Sequence, residues 1–248
     1  MKNIFIIATI FSIVLIACKK DKTEVDCETP NRTMQVYLQP TLNDSAYAIN
    51  QIIESPQGYR YYYTDIKIVG TNVGNGSAQL KDAFLYDFSE TGILLTSNQG
   101  LKSDYTDLKF NLGVPDPLNT SDPSLQPSTS PLNITNIGDM HWGWNPGYKF
   151  VTIEGKVDTI ADGIDNFDKS FFFHLGTDFL FRTKTISAVD WVDVDANKSK
   201  TTLKLDVKAI LDGPNPTDLR VHSASHSSNS QMFYSVIIID EFVAAIKK

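Results

Sequence analysis

The stretch TTLKLDVKAIL at residues 201–211 alternates apolar and polar side chains. That is the pattern of a strand with one face on a core and the other in water. Similar stretches recur along the chain. Residues 34–39, 59–69 (YRYYYTDIKIV), 83–88, 108–112, 149–154, 170–175 and 179–186 are rich in β-branched and aromatic residues. Turn signals separate them at Gly74-Asn75-Gly76, Glu90-Thr91-Gly92, Asp162-Gly163 and Asp212-Gly213-Pro214. Short strands at this spacing predict an all-β fold, an antiparallel β-sandwich. Two segments depart from the pattern. Residues 114–131 hold five prolines among Ser, Thr and Asp and read as a long surface loop. Residues 231–248 read as a closing helix with Phe233, Ile237 and Val243-Ala244 near one face.

The amino terminus carries an address. Lys2 precedes an almost wholly apolar run over 4–16, followed by Leu15-Ile16-Ala17-Cys18. A basic start, a short apolar run and a small residue at the cut define a secretory signal. The run is shorter than the roughly 20 residues a membrane-spanning helix needs. The last four residues match the lipobox, after which the thiol of Cys18 carries lipid and acyl chains hold the protein to a membrane. The expected organisation is a signal peptide over 1–17, a lipidated cysteine with a polar tether over 18–33, and one sandwich domain over 34–248. The chain then works in the cell envelope outside the cytoplasm, with the outer membrane as the expected anchor.

Composition narrows the partners. A net charge of −7 over 248 residues argues against nucleic acid, which is bound by releasing counterions from phosphate. With Cys18 lipidated, Cys27 is the remaining cysteine, so core burial rather than an internal disulfide must stabilise the fold.

The densest chemistry lies in GDMHWGWNPGYKF, residues 138–150. Met140, His141, Trp142 and Trp144 crowd together, with glycines permitting tight turns. Downstream, His174 ends the aromatic run 171–174, where it shares a strand face with Phe172 while Phe171 and Phe173 point the other way. A sandwich can bring a strand-entry loop against a strand end. Two imidazoles near the thioether of Met140 would favour copper, above all Cu(I), over hard cations. Asp139 and Glu154 are candidate outer partners that fix ring tautomers.

The segment 138–155 (GDMHWGWNPGYKFVTIEG), followed by Phe173-His174-Leu175-Gly176, resembles the core signature of the MbnP-like proteins, extracytoplasmic copper binders associated with methanobactin gene clusters. Leu112-Gly113-Val114 and Pro131-Leu132 fit the same order. The resemblance implies a β-sandwich that binds one copper ion through His141 and His174. It further implies a tryptophan, Trp144 or Trp142, oxidised to kynurenine by a dihaem peroxidase-like partner. A weaker pair, His222 and His226, would chelate a metal only if the segment were helical.

Other readings are bland. Asp193-Val-Asp195-Ala-Asn197 opens like a calcium loop, but Lys198 and Lys204 stand where glycine and glutamate are required. Asp162, Asp165 and Asp168 read as an exposed turn, so calcium is not expected. Tyr59, Tyr61 and Tyr63 share one strand face and suit a core better than a sugar platform. The sequence carries no nucleophile elbow, phosphate loop or dinucleotide fingerprint, so a metal-binding protein is expected rather than an enzyme. The rival reading is a metal-free surface module for glycans or protein partners, built on the tyrosine strand and the proline-rich loop.

Overall fold

The computed structural model describes residues 32–90, 92–143, 147–160 and 162–248. The signal segment, Cys18, most of the tether and Trp144 lie outside the described residues. In chain order the strands are β1 (Thr33–Leu42), β2 (Ser45–Ala46), β3 (Ile53–Glu54), β4 (Arg60–Gly74), β5 (Gln79–Asp87), β6 (Ile93–Ser97) and β7 (Leu108–Leu112). They continue with β8 (Val151–Asp158), β9 (Lys169–Leu175), β10 (Arg182–Ile186), β11 (Val192–Asp195), β12 (Lys198–Asp206), β13 (Ala224–Ser225) and β14 (Ile246–Lys247). Two helices, α1 (Val207–Asp212) and α2 (Met232–Ala245), follow β12 and precede β14 respectively.

The strands form two sheets. The first runs β11-β12-β1-β2, with β14 added to β12 and β6 to β1; the second runs β10-β7-β4-β8-β9-β13, with β3 and β5 added to β4. One hydrophobic cluster draws on both, from Met34, Val36 and Leu38 of β1 to Ile153, Phe171 and Phe173 of β8 and β9. The fold is all-β, as the alternating stretches predict.

The sheets are mixed rather than antiparallel throughout. β1 pairs with β12 in parallel from Thr33↔Lys198 to Thr41↔Asp206, and β13 lies parallel to β9. The hairpin-like neighbours β2 and β6 pair antiparallel with β1. Its remaining edge is filled by β12, which returns only after every strand of the second sheet but β13 has been laid down. A parallel pair needs such a long crossover.

The opening stretch of the sequence also divides. Strand β12 stops at Asp206, whose Oδ1 accepts from the Ala209 amide at 3.3 Å and caps α1. Val207, Ile210 and Leu211 are the buried residues of α1, the i, i+3, i+4 spacing of a helix face. Alternation continues only to Ala209; Ile210 breaks it, and the capped helix face takes over. The stretch 179–186, expected as strand throughout, starts later: residues 178–180 form a 3-10 turn that leaves Phe179 exposed, and β10 begins only at Arg182. Helix α2 forms where expected but buries a different face. Ser235, Ile238, Ile239, Phe242 and Ala245 point inward, while Phe233 is exposed.

The tyrosines are core. Tyr59, Tyr61 and Tyr63 are buried, and the Tyr61 and Tyr63 rings meet edge to face at 5.6 Å. Their hydroxyls donate to the Thr217 carbonyl, Asp212 Oδ2 and the Val207 carbonyl. This burial removes the tyrosine platform from the glycan reading. The two aspartate runs are likewise accounted for within the protein. Asp193 pairs with Arg32 and Lys102, Asp165 pairs with Arg60, and Asp168 accepts from Thr159.

Candidate metal centre

The candidate residues gather on the outer face of the second sheet. In the antiparallel β8–β9 ladder, Thr152 faces His174 and Glu154 faces Phe172, while Ile153↔Phe173 and Gly155↔Phe171 point to the core. Alternation along the strand therefore puts His174 and Phe172 outside with Glu154. Glu154 Oε1 is 2.7 Å from His174 Nε2.

A hairpin-like loop covers this face. His141 bridges to Tyr148, the Trp142 amide donates to the Gly147 carbonyl, and the Lys149 amide donates to the Met140 carbonyl. Gly147 makes the return possible. It holds φ +90, and a Cβ there would collide with the Asn119 backbone carbonyl oxygen. Asn119 Oδ1 in turn accepts from the Tyr148 amide at 3.0 Å, pinning the loop to the proline-rich segment.

Neighbours in an extended chain point to opposite sides, and this separates the crowded motif. Trp142 turns toward the sheet, 6.0 Å from the His174 ring and 5.7 Å from that of His226 between centroids. His141 turns the other way, meeting Tyr148 edge to face at 4.8 Å, with its Nδ1 accepting from the Gly143 amide. Burial holds His141 below the usual imidazole pKa, against a weaker pull upward from Asp122. Met140 is fully buried, and its sulfur accepts a 3.4 Å contact from the Thr152 hydroxyl. The Asp139 carboxylate pairs with Lys67.

The imidazole set beside His174 is that of His226, 5.0 Å away between ring centres. Phe172 packs on both rings, at 5.7 and 5.0 Å. His226 is delivered by β13. Ser227 Oγ donates to the His174 carbonyl at 3.1 Å and accepts from the Gly176 amide at 3.3 Å, while Ser225 Oγ lies 2.6 Å from Ser235 Oγ of α2. Burial, with His174 and Lys149 adding like charge, holds His226 below its usual pKa. His222 stands apart, stacked on Tyr234 at 3.6 Å. Because residues 224–225 are strand, His222 and His226 do not form a helical chelating pair.

His174 and His226 share a cavity of about 300 Å³ with Glu154, Lys156, Phe172 and Thr64. The donor set suits a soft or borderline metal. An ion held by imidazole lies roughly 2.0 Å from nitrogen, so two rings on one ion have centres at most about 6.4 Å apart; the observed 5.0 Å is within that span. The buried indole N–H of Trp142 has no hydrogen-bond partner among the described residues, an orphaned donor at the same cluster. Among the described residues no group of three or more His, Cys, Asp or Glu is placed to hold a metal unaided.

The solved structure of MbnP from Methylosinus trichosporium is similar over 80% of this chain and 81% of its own, at 14% identity and a TM-score of 0.47. No curated protein matches the sequence. The profile of the MbnP family matches residues 31–232. The chain belongs to the MbnP family.

Proposed function

We propose that this protein binds copper outside the cytoplasm, as a carrier or store rather than a catalyst, at a site formed by His174 and His226 beside Trp142. The supporting observation is the pair of imidazoles 5.0 Å apart, with Glu154 hydrogen-bonded to one of them. A coordinating histidine characteristically gives its second nitrogen to a carboxylate, which orients the ring and raises its basicity. Here Glu154 engages Nε2, leaving His174 Nδ1 for the ion. Two neutral nitrogens, with the Met140 thioether on the same hairpin face as Trp142, favour Cu(I) over hard cations. His141, named by the family resemblance, faces Tyr148 and takes no part in this reading. Copper, when bound, supplies a soft acceptor for these donors; the protein orients the rings and covers them with an indole. Trp142, beside both rings, is one candidate for oxidation by a dihaem peroxidase-like partner, with Trp144 outside the described residues, and Cys18 would tether the domain to the membrane through lipid.

The test is metal stoichiometry and affinity in three variants. His174→Ala and His226→Ala should each lose most copper binding while remaining folded, and His141→Ala should keep it. Retention in either of the first two, or loss in the third alone, overturns the assignment.

A second reading draws on a groove of about 930 Å³ where the proline-rich loop faces β5. Asn72, Gln79, Asn98, Gln126, Thr129 and Ser130 line it with neutral amides and hydroxyls, groups that both donate and accept and so match sugar hydroxyls. Glycan binding that survives chelation and is lost in Ser130→Trp would establish it.

A further inference from the structure

Lys149 belongs to the same cluster. Its ammonium lies 4.9 Å from the centre of the Trp142 ring, and among the described residues it forms no ion pair with a carboxylate. The hairpin explains the placement. Lys149 pairs with Met140, and Trp142 with Gly147, so by alternation Lys149, Met140 and Trp142 lie on the same face. Tyr148 and Phe150, on either side of it, are fully buried. The negative face of the indole attracts the ammonium and holds it there.

We propose that Lys149 sets the charge selectivity of the His174–His226 site, a permanent cation that disfavours a divalent ion more than a monovalent one. The inference rests on the copper reading above and names the residue that makes the site choose Cu(I). Repulsion between charges scales with their product, so a dication meets twice the opposition that a monocation does at the same distance. The other charges facing the cluster do not reverse this. Among the described residues Glu154 is the one carboxylate hydrogen-bonded to a site imidazole, and its side chain is 42% exposed, hence well screened. Lys156 lines the cavity but is exposed, so its positive charge is screened in the same way. Asp139 is paired with Lys67.

The test compares the full chain with Lys149→Met and Lys149→Arg. Dissociation constants for Cu(I) and Ag(I), and for Cu(II) and Zn(II), would be measured by chelator competition at one ionic strength. Lys149→Met should tighten divalent binding about tenfold more than monovalent binding, which for copper lowers the one-electron potential of the bound ion by roughly 59 mV. Lys149→Arg, which keeps the charge, should preserve the parent ratio. In metal-free protein, the indole N–H resonance of Trp142 should shift in Lys149→Met and shift less in Lys149→Arg. Metal binding with an unchanged ratio overturns the role of Lys149, as does an unmoved indole resonance. Absence of metal binding in the parent overturns the copper reading and this inference with it.

Discussion

Glu154 on β8 reaches diagonally across to His174 on β9, with Oε1 and Nε2 2.7 Å apart. The carboxylate is placed to hold the ring in one tautomer. Glu154→Gln keeps the shape and one hydrogen bond but removes the charge. Copper affinity should fall about tenfold, the lower end of what losing such a partner costs, with thermal unfolding unchanged. Chelator competition reads the first and calorimetry the second; full affinity in the variant removes Glu154 from the site.

Ser227 is the clasp between the two histidine-bearing segments. Its buried hydroxyl joins the His174 carbonyl to the Gly176 amide. Ser227→Ala strands both groups and should cost about 1–3 kcal/mol of stability. Because the loosened segment carries His226, copper should also bind more weakly. A variant with parental melting temperature and affinity would show that the hydroxyl is dispensable.

Gly147 governs the loop that carries Trp142. With φ at +90 and the Asn119 carbonyl oxygen directly against any Cβ, Gly147→Ala should cost on the order of 1–3 kcal/mol. The near-ultraviolet circular dichroism of the tryptophans should change with it. An unaltered spectrum and melting point would mean that the loop tolerates a side chain.

Asp212 supplies a pH dependence away from the histidine cluster. Its carboxylate accepts from Ser55 at 2.7 Å and from Tyr61 at 3.0 Å, and burial raises its pKa above the ordinary 3.8. The folded state therefore holds this proton more tightly than the unfolded chain does. The group favours folding fully below 3.8, and that contribution is lost as pH rises through the raised folded value. The melting temperature of Asp212→Asn relative to the parent should thus climb as pH is raised from about 3 to about 7. A flat difference across that range would sink the argument.

Much of the fold was legible because half-buried strands record their burial every second residue. The stretch 108–112 became β7 without adjustment, and 170–175 became nearly all of β9. The parallel partnership of β1 and β12 was not, since neither strand's composition names a neighbour more than 150 positions away. Residues 207–209 fit either period, but Ile210 breaks the alternation, and the hydrogen bond at Asp206 marks the helix start. At the site, His226 was hard to weigh because its strand is two residues long and its surroundings are serines. Yet Ser225 and Ser227 are buried while Ala224 and His226 are not fully so, a period-two signal in SASHS. The adjacency of His141 and Trp142 held a second signal. Consecutive residues of an extended chain face opposite ways, so both rings could not have looked into one site.

The parallel pairing of β1 with β12 bears on mechanical load. Nine register pairs run in line from Thr33↔Lys198 to Thr41↔Asp206, with evenly spaced hydrogen bonds. A pull on the chain from its amino-terminal side, along the axis of β1, stretches these bonds together in shear instead of opening them one at a time. Drawing β1 out along its own axis therefore requires these nine pairs to give way together.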